Sequence, residues 1–179
     1  MAATLDQVSG FLAGRGLRFQ REDARQMLFV PFRLEEIDRL VIVVKLEENG
    51  EFIKVLAPSL LTCPAGPHKL PLMETLLLIS WETKMLQWEY DPTDGEVRAI
   101  IEFPLEDAPL TEAQFFRAFD GLAQMCRMFL PRLRQVAETG RDPARQGGVA
   151  SSSGIARAFL EYVGGNPPGD GEDAPPDEL

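Results

Sequence analysis

Few residues of this chain combine the type and the spacing that catalysis requires. His68 is the only histidine among 179 residues, so a Ser-His-Asp triad or a histidine-containing metal site would have to include it. The stretch Cys63-Pro-Ala-Gly-Pro-His68 consists largely of turn-forming residues and offers no second ligand or nucleophile at a useful spacing. We therefore predict that His68 is a surface or helix-capping residue, and that the chain is not an enzyme and holds no metal ion or cofactor.

Carboxylates are the remaining groups that could perform chemistry. Paired acids act in general acid–base catalysis when their environments separate the pKa values of the two carboxyl groups. Here the acids cluster at predicted turns, with Glu48 beside an Asn-Gly pair and Glu106 beside Asp107, where solvated carboxylates are expected. A small-ligand-binding or enzymatic domain that uses such turn carboxylates is the alternative function.

The charge balance and the cysteine count exclude several classes of protein. A formal net charge of -10 argues against a nucleic-acid partner, because phosphate neutralisation needs a clustered excess of Lys and Arg. Cys63 and Cys126 form neither a CxxC pair nor a disulfide framework, as expected of reduced thiols. The first residues lack the features of a secretory signal, and no apolar run reaches the length of a membrane span. We expect a cytoplasmic protein with no membrane partner.

The first half of the chain predicts a helix followed by antiparallel strands. Thr4 and Gln7 have the spacing of a capping box, and apolar residues then recur at helical intervals up to Gly14. Four runs rich in β-branched and aromatic residues follow, and polar or turn residues separate them. The segment Glu48-Asn-Gly-Glu51 carries the Asn-Gly signature of a two-residue hairpin loop.

A second helix is predicted from Pro71, and it is apolar around most of its circumference. Such a helix cannot leave half of its surface in water without a large exposed patch, so two of its sides should contact protein. One side would face the sheet of its own chain, and the other would face a second copy of the chain or another protein. The predicted dimer or partner surface consists of Leu72, Leu76, Ile79 and Trp81.

A hairpin and a long helix complete the domain. The turn Asp91-Pro-Thr-Asp-Gly95 lies between two runs in which apolar and polar residues alternate, so the two strands should share one buried face that includes Trp88. Thr111 and Gln114 have a second capping-box spacing, and apolar residues spaced by three and four continue beyond Pro131. Because proline lacks an N–H group, we expect a kink or break there. The predicted fold class is therefore α+β: helix, antiparallel sheet of five to six strands, helix, hairpin and long C-terminal helix.

The composition changes after the long helix. The predicted parts are a domain over residues 1–139, a flexible linker over 140–154, a short amphipathic helix over 155–163 and a disordered acidic Pro/Gly tail over 164–179. Ile155, Phe159 and Tyr162 share the apolar side of the short helix and form a candidate docking segment. Docking onto the chain's own domain and docking onto a larger assembly are both open.

The order of elements resembles the fold of class I type III secretion chaperones. The local sequence is similar to the YbjN-like family, a bacterial group of small proteins described as sensory transduction regulators. The likeness covers about residues 4 to 138. It rests on five segments: Phe52–Pro58, Leu78–Trp81, Tyr90–Val97, Phe103–Asp107 and Leu110–Glu112. The resemblance implies a homodimer whose surfaces hold a segment of a client protein, and it brings no catalytic motif. We therefore expect a non-enzymatic, chaperone-like protein-binding or regulatory module.

Overall fold

The computed structural model describes residues 2–34, 37–63, 65–106 and 108–147, and these residues form the predicted α+β fold. The helices are α1 (Leu5–Gly14), α2 (Lys69–Glu82) and α3 (Glu112–Thr139). The strands are β1 (Gln20–Glu22), β2 (Met27–Leu34), β3 (Ile37–Glu47), β4 (Phe52–Thr62), β5 (Gln87–Tyr90) and β6 (Glu96–Pro104). Short 3-10 turns cover Asp23–Arg25, Glu48–Gly50 and Pro143–Gly147.

The chain divides into one compact unit that ends at Pro143 and a second unit that begins at Ala144. In the second unit the description reaches residue 147. The candidate docking segment with Ile155, Phe159 and Tyr162, and the acidic tail over 164–179, therefore lie outside the described residues. The predicted domain boundaries stay predictions.

The six strands form one antiparallel sheet with the order β1-β2-β3-β4-β6-β5, which confirms the predicted five to six strands. Paired positions place Leu28, Val44, Val55 and Ile101 in one row across four strands, and all four side chains are buried. The same hydrophobic core contains apolar residues of α1 and α3, so these helices cover this face of the sheet. The alternation of residues along the strands thus produces a two-layer domain.

Both predicted helix caps are present. The backbone N–H of Gln7 donates to Thr4 Oγ1 over 3.2 Å, and the N–H of Gln114 donates to Thr111 Oγ1 over 3.1 Å. The side chain of Gln7 does not return to its own cap. Its Nε2 instead donates to the carbonyl of Leu110 over 2.8 Å, which ties the start of α1 to the residues before α3.

The loop between β3 and β4 differs from the two-residue hairpin that the Asn-Gly pair predicts. Glu47 pairs with Phe52, so four residues form the loop. The N–H of Ala3 donates to the carbonyl of Gly50 over 2.8 Å, and a Cβ atom at Gly50 would lie 2.1 Å from the carbonyl oxygen of Ala3. The close approach of the N-terminal backbone therefore requires glycine in this longer loop.

Helix α3 runs through Pro131 as one continuous helix, so a break there was the wrong prediction. Proline removes the hydrogen bond to the carbonyl of Arg127, and both residues lie on the exposed side of the helix, where water can bond that carbonyl. The predicted apolar stripe lies on the opposite side of α3, and that side is packed into the core. Its buried members are Phe115, Phe119, Leu122, Cys126, Leu133 and Val136.

Helix α2 packs against the second half of α3, and this packing corrects the predicted partner surface. Leu72, Leu76 and Ile79 are buried inside their own chain. They share a cluster with Leu133 and Val136 of α3. Three of the four predicted surface residues are therefore core residues, because the side of α2 that carries them is the side that faces α3.

A buried ion pair reinforces this contact between helices. Arg132 of α3 donates to both carboxylate oxygens of Asp142, over 2.8 and 2.7 Å, and the Asp142 side chain is only 5% exposed. The Oγ1 atom of Thr75 in α2 lies 3.3 Å from the same carboxylate, and its single proton is shared between that carboxylate and the carbonyl of Pro71. These three side chains, which we call the Asp142 clamp, join α2, α3 and the turn that follows α3. Bidentate pairs of this kind also fix geometry.

The edges of the sheet are short. Strand β1 has three residues and pairs with β2 from Met27 to Phe29, and β5 has four residues. Pro31, in the part of β2 that β1 does not cover, is exposed and has no N–H group to donate. Short edge strands and proline are two devices by which proteins limit edge-to-edge pairing.

The burial of Leu76 yields a matched test, because the next residue, Leu77, is exposed. The two side chains are 5% and 72% exposed. We expect Leu76→Ala to lower the free energy of unfolding by about 2 to 5 kcal/mol, because it leaves a cavity against α3. Leu77→Ala should change it by less than about 0.5 kcal/mol. Urea denaturation followed by circular dichroism measures both values, and equal losses would contradict the assignment of Leu76 to the core.

Burial should also protect Cys126 chemically. Desolvation raises the pKa of this thiol to about 12, from an ordinary value of 9.0. The reactive thiolate is therefore scarce in the folded protein at pH 8.5, and iodoacetamide should alkylate Cys126 roughly a hundredfold more slowly than in urea. A Cys63→Ala variant leaves this single thiol, and mass spectrometry measures its alkylation.

Because the pKa of Cys126 is raised, the neutral thiol favours the fold below about pH 9, and this contribution is lost as the pH rises towards 12.

Candidate protein-binding surface

Large apolar side chains are exposed mainly at one place in the described part of the chain. Leu70, Leu77 and Trp81 of α2 are 68%, 72% and 63% exposed, and Met85 in the turn after α2 is 53% exposed. Met128 of α3 is the one other large apolar residue in this class. We call the first four residues the α2 strip. Their concentration on one short segment, and not their number, sets the strip apart from ordinary surface leucines.

Helix geometry explains why three of these residues share a face. Leu70, Leu77 and Trp81 are seven and four residues apart, so their side chains project from the same side of α2. The rise of 1.5 Å per residue gives this part of the strip a length of about 16 Å. The buried residues of α2 lie on the opposite side of the helix. The helix is therefore apolar on both its inner and its outer face.

The hydroxyl side chains of α2 and of the residue that follows it do little to make its surface hydrophilic. Ser80 donates from its hydroxyl to the carbonyl of Leu76 over 2.9 Å, and Thr75 does the same to the carbonyl of Pro71. Thr83, just after the helix, donates to the carbonyl of Ile79 over 2.8 Å. These hydroxyls bond to the helix backbone. The outer surface of α2 therefore carries the apolar side chains of the strip together with the exposed Glu74, which lies between Leu70 and Leu77.

The turn after α2 adds Met85 to the strip. Met85 has a φ angle of 67°, in the left-handed region that residues other than glycine adopt infrequently. The chain reverses here, so that Leu86 enters the core while Met85 stays at the surface. A strained backbone that holds an apolar side chain in water is a recurrent feature of binding surfaces.

The strip overlaps the predicted partner surface at Trp81 alone. Leu70, Leu77 and Met85 were not predicted as surface residues. One signal in the sequence could have identified the outer face, since Glu74 lies between Leu70 and Leu77 on the same side of the helix and is exposed. A charged residue marks the solvent side of a helix that is otherwise apolar.

Of the residues considered for chemistry, His68 has a structural role, and two other carboxylates, Asp91 and Glu47, have local hydrogen-bond partners. His68 is the N-cap residue of α2, and its Nδ1 donates to the carbonyl of Ala137 over 3.0 Å. Asp91 accepts hydrogen bonds from the hydroxyl and the backbone N–H of Thr93, and these two bonds, the hydroxyl first, lower the pKa of its carboxyl group. Glu47 lies between Lys45 and Lys54, whose hydrogen bonds lower the pKa of its carboxyl group.

A hollow of about 410 Å³ lies at the turn of the β5–β6 hairpin. Glu89 and Arg98 line it and already form an ion pair with each other. Glu96, also on its lining, accepts from the backbone N–H of Ser59 over 2.7 Å.

Among the described residues, no group of three or more His, Cys, Asp and Glu side chains could hold a metal ion. The helices of this part of the chain also lack the length and apolar character needed to cross a membrane.

Comparison with known proteins identifies the fold. The sequence matches no protein-family model, and it matches no functionally curated protein. Among solved structures, YbjN from E. coli, a candidate transcription regulator, is 18% identical with a TM-score of 0.57, over 77% of this chain and 95% of YbjN. A chain of the ExsC–ExsE complex is 19% identical with a TM-score of 0.52, over 74% of this chain and 97% of that chain. A chain of the HopA1–SchA chaperone–effector complex is 14% identical with a TM-score of 0.47, over 68% and 88% of the two chains. The protein thus has the YbjN-like, type III secretion chaperone-like fold that its sequence predicts.

Proposed function

We propose that this protein is a non-enzymatic, chaperone-like protein-binding or regulatory module that associates with protein through the α2 strip. The observation that carries the proposal is the exposure of four large apolar side chains, Leu70, Leu77, Trp81 and Met85, within the one segment 70–85. Contiguous apolar patches on protein surfaces commonly mark protein–protein contacts, and tryptophan is enriched among the residues that dominate binding energy. The fold supports the proposal by analogy.

The strip is large enough to drive association. Complete burial of a leucine, methionine or similar side chain contributes about 1.5 to 3 kcal/mol relative to exposure. Four such residues could together contribute several kcal/mol, from which the loss of rotational and translational freedom must be subtracted. The net result favours a reversible complex over a permanent one. A regulatory module or a chaperone that releases its client needs this reversibility.

The shape of the strip favours a helix or a second copy of α2 as the partner. It is one helix wide and about 16 Å long between Leu70 and Trp81, which matches three turns of an amphipathic helix. In a homodimer the same strip on each subunit would meet across a two-fold axis. In a client complex the strip would receive an apolar segment of the client.

Cys63 and Cys126 lie in separate clusters, as fits the reducing cytoplasm in which we propose that the protein acts.

The double variant Leu77→Gln/Trp81→Gln tests the strip. Glutamine keeps a high helix propensity at position 77, so the fold should be retained while the apolar contact is removed. We expect self-association to weaken at least tenfold, as measured by sedimentation velocity over a range of concentrations, with the melting temperature nearly unchanged. Met128→Gln is the control, because Met128 is also a large apolar residue, 53% exposed, and lies on another helix. It should leave self-association unaltered.

A second measurement separates client holding from dimer formation. A reduced and carboxymethylated protein, which stays unfolded, serves as the client, and light scattering follows its aggregation. The wild-type chain should suppress aggregation more strongly than the Leu77→Gln/Trp81→Gln variant. A wild-type protein that is monomeric at all concentrations and does not slow aggregation would refute the proposed function.

The two alternative functions drawn from the sequence, a ligand site at turn carboxylates and docking through the C-terminal segment, stay predictions. The ligand site would use turn carboxylates such as Glu48 or Glu106. The hollow at the β5–β6 hairpin is lined by neither of them, since its carboxylates are Glu89, Asp91 and Glu96. Docking through Ile155, Phe159 and Tyr162 concerns residues outside the described part of the chain.

A further inference from the structure

The second half of α3 has a charge opposite to that of the whole protein. Between Gly121 and Arg141 the sequence has four arginines and one acidic residue, Glu138, which is a net charge of +3 in a chain whose total is -10. Arg132 is consumed by the Asp142 clamp. The side chains of the other three, Arg127, Arg134 and Arg141, are exposed.

Among the described residues these three arginines, like the exposed Arg18 and Arg117, form no ion pair with a carboxylate, whereas several other exposed arginines do. Arg15 forms an ion pair with Asp120 over 2.7 Å, and Arg98 forms one with Glu89 over 2.5 Å. Within the described residues, no ion pair involves any of the three arginines in question. Three unpaired guanidinium groups therefore face solvent along a stretch of an acidic protein.

Helix electrostatics accounts for one of the three positions. Basic residues near a helix C-terminus interact favourably with the helix dipole, and this effect falls off within the last turn. Arg141 follows Gly140, the residue at which α3 ends, so the dipole explains its charge. Arg134 and Arg127 lie farther from the end than one turn. They are seven residues, or about 10 Å, apart on the same side of the helix.

We propose that Arg127, Arg134 and Arg141 form a second docking surface, the arginine strip, which binds an acidic segment of a polypeptide. The planar guanidinium group pairs with a carboxylate through two parallel hydrogen bonds, which favours arginine over lysine at carboxylate-binding positions. A polypeptide in the polyproline II conformation has three residues per turn and rises about 3.1 Å per residue, so acidic residues at every third position lie on one side, about 9 Å apart, close to the spacing of Arg127 and Arg134. Met128, exposed beside Arg127, offers an apolar contact to a side chain between the acids.

The charge of the remaining surface selects a polypeptide over a nucleic acid. Interactions between exposed charges are screened within about 8 Å at physiological salt, so a short acidic segment that stays on the arginine strip experiences mainly the arginines. A longer polyanion would extend beyond the strip onto a protein with an overall charge of -10, where it would be repelled. The strip also lies on α3, whereas the α2 strip binds through apolar contact, so the two surfaces suit different partner segments.

Fluorescence anisotropy with three labelled probes tests this inference on the full chain. The first probe is a 12-residue peptide with glutamate at every third position, the second has lysine at the same positions, and the third is a 12-nucleotide single-stranded DNA. We expect the glutamate peptide to bind at 50 mM salt, and its affinity to fall at least fivefold at 300 mM. The lysine peptide and the DNA should bind at least tenfold more weakly than the glutamate peptide.

Two double charge reversals distinguish the effect of the arginine strip on peptide binding from the effect of the overall charge. Arg127→Glu/Arg134→Glu should weaken binding of the glutamate peptide at least tenfold. Arg18→Glu/Arg117→Glu changes the net charge by the same amount at two other exposed arginines, and should weaken binding less than threefold. Equal losses in the two variants, tighter binding of the DNA, or no binding of the glutamate peptide at 50 mM salt would each overturn the inference.

Discussion

Helix α2 is apolar on two opposite sides, and a two-layer fold can bury only one of them. Leu72, Leu76 and Ile79 take the inner side and close the second hydrophobic cluster against α3. The outer side, with Leu70, Leu77 and Trp81, is then left in water. Leaving it there is costly for an isolated molecule, since exposed apolar surface favours association. The domain therefore has a closed hydrophobic core but leaves one apolar face of α2 exposed.

The sequence was most informative where local chemistry decides the structure. The Thr4 and Thr111 caps depend on hydroxyls within reach of the next turn, and both are found. The hairpin around Asp91 follows from the alternation on both strands, which pairs Trp88 with Ala99 and Tyr90 with Val97. Such features require no knowledge of distant residues.

Predictions failed where a distant residue makes the decision. Which side of α2 is the inner one depends on α3, and periodicity alone gives two apolar sides without ranking them. The loop after β3 is longer than its Asn-Gly pair predicts, and its Gly50 is in contact with Ala3, which lies far away in the sequence. Pro131 does not break α3 because the core stripe on the other side of that helix outweighs one missing hydrogen bond. The Asp142 clamp, which joins residues 75, 132 and 142, has no local signature either.

The short edges of the sheet affect what kind of assembly this protein can build. Every backbone edge of a β-sheet can recruit another strand, which offers a new edge in turn, so growth by that route has no natural end. Strand β1 is only three residues long, and Pro31 removes a donor from the neighbouring stretch of β2. A molecule with short sheet edges and one exposed apolar helix face can bury its exposed apolar side chains by pairing with a second molecule. No further molecule then needs to be added. For the self-association that we propose through the α2 strip, these edges favour a closed pair over an open fibre.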